Sequence, residues 1–371
     1  MPLPLRKRPR TPPEDTRTQA AAATPASAPR KEKKERKVWR SAAALRCAMI
    51  DAMQTRASHL AMKAWLARLA GSTPTVPIRD DDTGCTIWVK LEYMLPSGST
   101  KDRVASFILS HAIETGAVRE GSIVVEASSG STSIAFAMAC AMLGVPFRAV
   151  MPEGVSGERL LIIRRYGGEV VLTPREGGVR EAIEATRRMA AEDPRVFLPK
   201  QFENPLNALA HHRLTGPELI AQVGTTVHGL VAGIGTGGTL MGLARALREA
   251  GHPTVVANAR PDHGVCFQGE PEVCGGIPGV VEGLSTILDE AAIGVAETIN
   301  VPDSEAIRAA RELCSKGFPV GPSSGLNFAA ARRLARMLGP GHDVATVLCD
   351  RMERYFSTDL FRDLAGDPPS R

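Results

Sequence analysis

An α/β fold with mostly parallel sheet is what this sequence predicts, on three observations. From about residue 120, short runs rich in Val, Ile and Leu alternate with helical patterns of roughly 10–15 residues, the rhythm of βαβ units. Those runs are apolar throughout rather than at every second position, as strands buried on both faces are. Where several of them give way to a helix, the junction is rich in Gly, Ser and Thr.

Taken in order, 122–126 reads as a buried strand and 132–143 as a helix of small residues around Ala135, Phe136, Met138, Ala139 and Met142. Residues 147–151 read as strand, 157–166 as helix and 169–172 as strand. A helix at 178–191, a strand at 196–198 and a helix at 205–222 follow. Then come a strand at 228–232, a helix at 239–250 and a strand at 254–257. Asp303 offers an N-cap for a helix to about 315, a second helix spans 324–338, and 343–348 closes the series as a strand. The chain has no internal repeat.

At 371 residues the chain is long enough for two domains, given about 150 residues for each. No apolar run approaches the ~18 residues of a membrane-spanning helix. The cysteines (47, 85, 140, 266, 274, 314 and 349) are scattered, odd in number and free of C-x-x-C pairs. That argues against a disulfide framework or a metal site and for a reducing, cytoplasmic setting. Aromatic residues make up only 4%, too few for a single-strand nucleic-acid stacking platform.

The net charge of +5 is unevenly distributed. Residues 1–40 carry twelve Lys/Arg against four Asp/Glu, so the remainder of the chain is slightly acidic. With seven prolines before position 30 and Leu3 and Leu5 as the only large apolar residues before Val38, 1–40 is expected to stay a disordered basic tail. Its cluster 30–37 offers a contact for nucleic acid or another acidic surface, against the plainer reading of a solvated leader. It lacks the apolar stretch of a secretory signal, and its four acidic residues fit a transit peptide poorly.

Four motifs carry chemistry. The first, Gly233-Ile234-Gly235-Thr236-Gly237-Gly238-Thr239, sits between a strand and a helix. Glycines there let backbone N–H groups converge on an anion at a helix N-terminus, and the two threonines add hydroxyl donors. It matches neither the Walker pattern nor the dinucleotide fingerprint, and suits a permanently held phosphate monoester. A merely tight turn explains four glycines and two threonines in seven residues less well.

The second motif is 96–103, where the spacing of Ser99 and Asp102 reads as a capping box. It places Lys101 in the first turn of a helix buried through Val104, Phe107 and Ile108, where the helix dipole disfavours its ammonium form. A neutral amine is what Schiff-base chemistry requires, although taken alone Lys101 reads rather as an ordinary surface lysine. The third, 126–133, brings five hydroxyls to a helix start, a pocket for a carboxylate or simply a Ser-rich cap. The fourth, Gly321-Pro322-Ser323-Ser324-Gly325, alone reads as a turn and helix cap.

In this order the four motifs resemble the fold type II pyridoxal-phosphate enzymes, most closely the cysteine synthase (O-acetylserine sulfhydrylase) family, from about Ala70 to Phe361. Supporting stretches are 71–74, 90–92, 201–205, 215–218 and 353–358. The resemblance implies two open, twisted α/β domains with mostly parallel sheets. It assigns 41–93 plus 205–371 to a large cofactor-binding domain and 94–204 to a small, mobile substrate domain. It implies that Lys101 carries pyridoxal 5'-phosphate as a Schiff base and later takes the Cα proton. Gly235, Thr236, Gly237, Gly238 and Thr239 would cradle the phosphate, and Ser323 would meet the pyridine nitrogen. Ser128, Ser129 and Thr132, with Gln201 beside them, would grip the substrate α-carboxylate.

This chain departs from the family at several places. Ser131 stands where cysteine synthases have an Asn that meets the cofactor's phenolic oxygen, Ser133 stands for a Gly, and Arg351-Met352 stand for Ser-Gly. Residues 281–286 replace a glycine-rich loop that covers the substrate. Segments 125–132 and 320–325 also resemble cysteine desulfhydrases of the same fold. The expected activity is β-replacement on an O-activated serine by sulfide to give cysteine, in a homodimer without membrane contact. The alternatives are a β-lyase splitting cysteine into sulfide, pyruvate and ammonia, and a catalytically silent protein binding nucleic acid through its tail. The intact Lys101 argues against the last.

Overall fold

The computed structural model describes residues 66–67, 70–262, 277–281 and 283–364. The basic tail, Cys47, Cys266, Cys274 and Glu282 lie outside these residues.

Among the described residues, ten strands form two sheets. Strands β1 (Thr75–Asp80), β2 (Cys85–Leu91), β7 (Gly229–Gly233), β8 (Val255–Asp262), β9 (Val295–Pro302) and β10 (Asp343–Leu348) make a six-stranded sheet in the order β1-β2-β10-β7-β8-β9. It is parallel except for the β1–β2 hairpin. Strands β3 (Ile123–Ala127), β4 (Phe147–Pro152), β5 (Glu169–Thr173) and β6 (Val196–Phe197) make a parallel sheet in the order β5-β4-β3-β6. The smaller sheet is thus drawn from a single stretch, whereas the larger takes strands from both sides of it.

The helices are α1 (Lys101–Glu114), α2 (Ser131–Leu143), α3 (Gly157–Arg165), α4 (Gly178–Glu192), α5 (Leu206–Ala210), α6 (Gly216–Val223), α7 (Gly238–Glu249), α8 (Glu290–Ile293), α9 (Asp303–Ser315) and α10 (Pro322–Leu338). None is long and apolar enough to cross a membrane.

Each sheet is covered on both faces, which is why its strands read as unbroken apolar runs. In β7, Val231 packs into a core with Leu326, Phe328 and Leu334 of α10, while Leu230 and Ala232 pack with Leu240, Leu243 and Leu247 of α7. In β3, Val124 packs with Ile134 and Phe136 of α2, and Val125 and Ala127 with Ala182 and Ala185 of α4. Successive side chains alternate faces, so both faces must be apolar. Helix α10 comes into backbone contact with α9 at Gly325, where a Cβ would lie 2.0 Å from Ala306 O.

The expected elements from 122 to 257 and from 303 to 348 are present, with ends shifted by a few residues. Strands β1, β2 and β9 were not expected. β1 and β9 are the outer strands of their sheet and carry exposed polar side chains, so neither presents an apolar run. The single helix expected at 205–222 is α5 and α6 joined by a π-helical turn at His211–Thr215. Pro217 has no N–H to donate to the carbonyl four residues back, which favours a break there. Asp303 lies inside α9 rather than capping it. The capping box also fails: Asp102 turns back to accept from the Ser97 N–H at 2.6 Å and from the Ser97 hydroxyl, and Ser99 Oγ makes no hydrogen bond.

A buried ionic cluster roots α1. Arg103 has no solvent exposure and reaches Glu92 (Nε–Oε2 2.7 Å), Glu218 (NH1–Oε1 2.8 Å) and the Ala70 carbonyl (2.7 Å). Lys90, also buried, pairs with Glu218 at 2.9 Å, and Thr73 donates to Glu92 at 2.7 Å. Burial alone would raise Glu218, but its bonds from Arg103, the Ser72 N–H and Lys90 bring its carboxyl down to about 2.

Replacing one partner of a buried cluster leaves the others unpaired, so Glu218→Gln should cost about 3–5 kcal/mol in urea unfolding. The pH dependence has a definite sign. Folded Glu218 titrates near 2 against an ordinary 4.5, so its contribution is complete above pH 4.5 and is lost as pH falls towards 2. The loss amounts to about 3 kcal/mol, and unfolding of the variant across that window should show a correspondingly flatter slope.

Candidate active site

The ends of β3, β7 and β10 open on one cleft of ≈ 920 Å³, open solvent at its mouth included. Lys101, Ser128, Ser129, Ser131, Thr132, Gln201, Gly235, Thr236, Gly237, Thr239 and Ser323 all line it. Gly238, also expected there, does not. It lies beneath the loop, where a Cβ would sit 2.0 Å from Asn207 Oδ1.

The glycine loop leaves β7 and ends in the first turn of α7. Gly237 has φ +78°, a left-handed conformation that suits glycine, and a Cβ on Gly235 would lie 2.2 Å from the Gly279 carbonyl. The Thr236 oxygen accepts from Asn207 Nδ2 at 2.8 Å and the Gly238 N–H at 3.4 Å, which leaves its own proton to point elsewhere. Thr239 Oγ1 lies 3.2 Å from His211 Nε2, and His211 Nδ1 lies 2.9 Å from Thr215 Oγ1. Burial pushes His211 well below its ordinary value, so its ring is neutral. Backbone N–H groups, two hydroxyls and a helix N-terminus, with no lysine or arginine in the loop, fit a phosphate monoester.

Lys101 opens α1 on the cleft floor. Its proton affinity is lowered, and burial is the main cause, set against the raising influence of Cys349, Asp350 and Glu92. The helix dipole invoked from sequence is not needed for this result. Lys90 is also lowered by burial, but its Nζ is engaged by Glu218 and Gln222.

In the hydroxyl loop, Ser128 departs from expectation. Its oxygen accepts from Gly130 N (3.1 Å) and Ser133 N (3.2 Å) and lies 2.6 Å from the Ser133 hydroxyl. It braces the loop, and Ser133, standing for the family glycine, is its partner. Thr132 donates to Gln201 Oε1 at 2.7 Å, and Gln201 Nε2 donates to Ala127 O at 2.6 Å. Ser131 donates to Asp350 Oδ2 at 2.9 Å, where Tyr355 OH also donates at 2.7 Å.

Ser323 lines the cleft at the start of α10, while Ser324 accepts the Cys349 N–H at 2.8 Å and is used in the fold. Burial pushes the Cys349 thiol up to about 12, so it stays protonated. Asn327 accepts from Gly233 N (2.7 Å) and donates to Val347 O (2.8 Å), tying β7 to β10 beneath the loop. Asn207, His211, Asn327, Asp350 and Arg159 escaped sequence reasoning. Only the four-residue spacing of Asn207 and His211, just after the 201–205 stretch, could have flagged two of them.

Residues 66–350 match the family model described as pyridoxal-phosphate dependent enzyme. A cysteine synthase of Staphylococcus aureus (strain Mu50) is 35% identical over 305 residues, covering 80% of this chain and 96% of the relative. Among solved structures, a hydrogen sulfide-producing enzyme in complex with an α-aminoacrylate intermediate superposes with a TM-score of 0.73 at 32% identity, covering 81% of this chain and 92% of its own. The O-acetylserine dependent cystathionine β-synthase of Helicobacter pylori gives 0.71 at 32%, covering 80% and 98%. With that match extending over most of its length, and over the lysine, the hydroxyl loop and the glycine loop of the cleft, this chain belongs to the pyridoxal-phosphate dependent enzyme family, in the company of the cysteine synthases.

Proposed function

We propose that this protein replaces the β-substituent of an O-activated L-serine, such as O-acetylserine, with sulfide to form L-cysteine. The observation that carries this reading is the convergence in one cleft of a lysine with lowered proton affinity, a glycine–threonine anion cradle and a hydroxyl-rich loop. When bound, pyridoxal 5'-phosphate supplies the electron sink that acidifies the substrate Cα–H and lets the β-substituent depart. The chain's own groups do the rest. Lys101, whose proton affinity burial lowers, is the attachment point and then the base that receives the Cα proton. Gly235, Thr236, Gly237 and Thr239 hold the phosphate with Gly238 packed beneath, and Ser323 offers the pyridine nitrogen a neutral partner. Ser129 and the loop N–H groups receive the substrate carboxylate, while Ser128, Thr132 and Gln201 hold the loop in shape. The small domain, 94–204, closes over the bound amino acid. The four described cysteines are free thiols, in keeping with a reducing, cytoplasmic setting. A homodimer belongs to the reading on the strength of family resemblance.

A second reading, cysteine desulfhydration to sulfide, pyruvate and ammonia, has one observation in its favour. Ser131 donates to Asp350 and both line the cleft, so a carboxylate stands beside the 128–132 loop. Incubation with O-acetylserine and sulfide separates the two: cysteine as the main product supports the synthase, and pyruvate supports the lyase.

Lys101→Ala should lower turnover by more than about 10³-fold and abolish the visible cofactor band. A variant that keeps full activity contradicts the assignment. Ser131→Asn should raise the ratio of cysteine to pyruvate, and an unchanged ratio means that position 131 does not set the outcome.

A further inference from the structure

Arg159 is a buried cation without an ion pair. It lies in α3, retains 5% exposure, and its Nε has no hydrogen-bond acceptor. A guanidinium stays charged at any working pH, and a buried one with no anion is costly. Neither neighbouring carboxylate forms an ion pair with it, and Asp350 Oδ1 is itself without a hydrogen-bond partner. Glu158 accepts from the Ser357 N–H (2.8 Å) and hydroxyl (2.9 Å), and Asp350 Oδ2 accepts from Ser131 and Tyr355.

The path of the side chain shows what it serves. Its stem crosses Gly130 so closely that a Cβ there would lie 2.1 Å from Arg159 Cδ, and Gly130 has φ +147°. Gly130 is therefore glycine for two reasons, and the hydroxyl loop rests on Arg159. The guanidinium lies over the Tyr355 ring, 4.7 Å from its centre, an arrangement that holds its charge in place. Arg159 lines both the cleft and an adjoining cavity bounded by Ser156, Gly157 and Pro322.

We infer that Arg159 is the counter-charge for the α-carboxylate of the amino-acid substrate. The inference rests on the reading above that this carboxylate binds at the 128–132 loop. The hydroxyls and N–H groups of that loop supply direction but no net charge, and Ser128 is spent on Ser133, Thr132 on Gln201 and Gln201 on the Ala127 carbonyl. A carboxylate placed on the loop brings the missing anion to Arg159. The empty-cleft penalty of the unpaired cation is then relieved only by ligands that carry an acid group.

The test compares L-serine with ethanolamine, which is serine without its carboxylate. Each is titrated into the holoenzyme, and the change in the visible cofactor band is followed. The wild type should bind serine more tightly than ethanolamine. Arg159→Gln should weaken serine by about 10–100-fold, the range expected for a charged hydrogen bond, and leave ethanolamine within about twofold. Arg159→Lys, which keeps the charge and most of the stem, should recover part of the serine preference and covers the case in which Arg159→Gln does not fold. If Arg159→Gln weakens both ligands equally, or neither, or if it does not fold and Arg159→Lys weakens both ligands equally, the side chain merely supports Gly130 and the inference is overturned. A wild type indifferent to the carboxylate would instead contradict the reading of the 128–132 loop, and the inference with it.

Discussion

Burying Arg103 beneath the first turn of α1 is the constraint from which the rest of the cleft follows. A fully buried guanidinium needs carboxylates at close range, and these come from Glu92, just after β2, and Glu218 in α6. Lys90 of β2 joins the same cluster, so the larger sheet, the helix that leads to the smaller one and the returning helix share a single root. Such clusters gain little free energy over an apolar core, but they tolerate only one arrangement of their members. Lys101 lies two residues before Arg103 and inherits that fixed position. Its own Nζ belongs to the cleft, and the partner that the fold denies it is what a carbonyl group on a cofactor would supply.

The cleft uses neutral donors where charge would interfere. Asn207 and His211, one helical turn apart, stand behind Thr236 and Thr239 and pin the hydroxyls of the glycine loop. The close packing this needs explains two further glycines: Gly238 makes room for Asn207, and Gly242 makes room for His211, where a Cβ would lie 2.5 Å from His211 Cβ. At the other end, Ser131 and Tyr355 both donate to Asp350 Oδ2. The cleft wall holds a lysine discouraged from holding its proton, the guanidinium of Arg159 without an ion pair, and the Asp350 carboxylate, whose Oδ1 has no hydrogen-bond partner.

Much of this was legible in the sequence, and the remainder was hidden for physical reasons. Central strands buried on both faces announce themselves as apolar runs, whereas β1 and β9 lie at sheet edges, where polar side chains are tolerated and the pattern dissolves. The glycine loop could be read because close backbone approach admits few other residues. Lys101 was legible only through its company, since nothing local separates it from a surface lysine. The supporting residues could not be read at all, because what they do depends on partners distant in the chain: His211 and Thr239 are 28 residues apart, and Ser131 and Asp350 are 219 apart. Ser128 shows the limit in the other direction. Its position was expected correctly, but its hydroxyl turned inward to a serine that replaces a glycine.

The central claim is that Lys101, and no other lysine, carries the cofactor. Borohydride reduction of the holoenzyme followed by peptide mapping tests it directly, because reduction fixes the cofactor to its lysine as a stable secondary amine. The account predicts a single pyridoxyl-bearing peptide, modified at Lys101. Modification at Lys90, the other buried lysine whose proton affinity is lowered, or an absence of any modified peptide from protein that holds the cofactor, would contradict it.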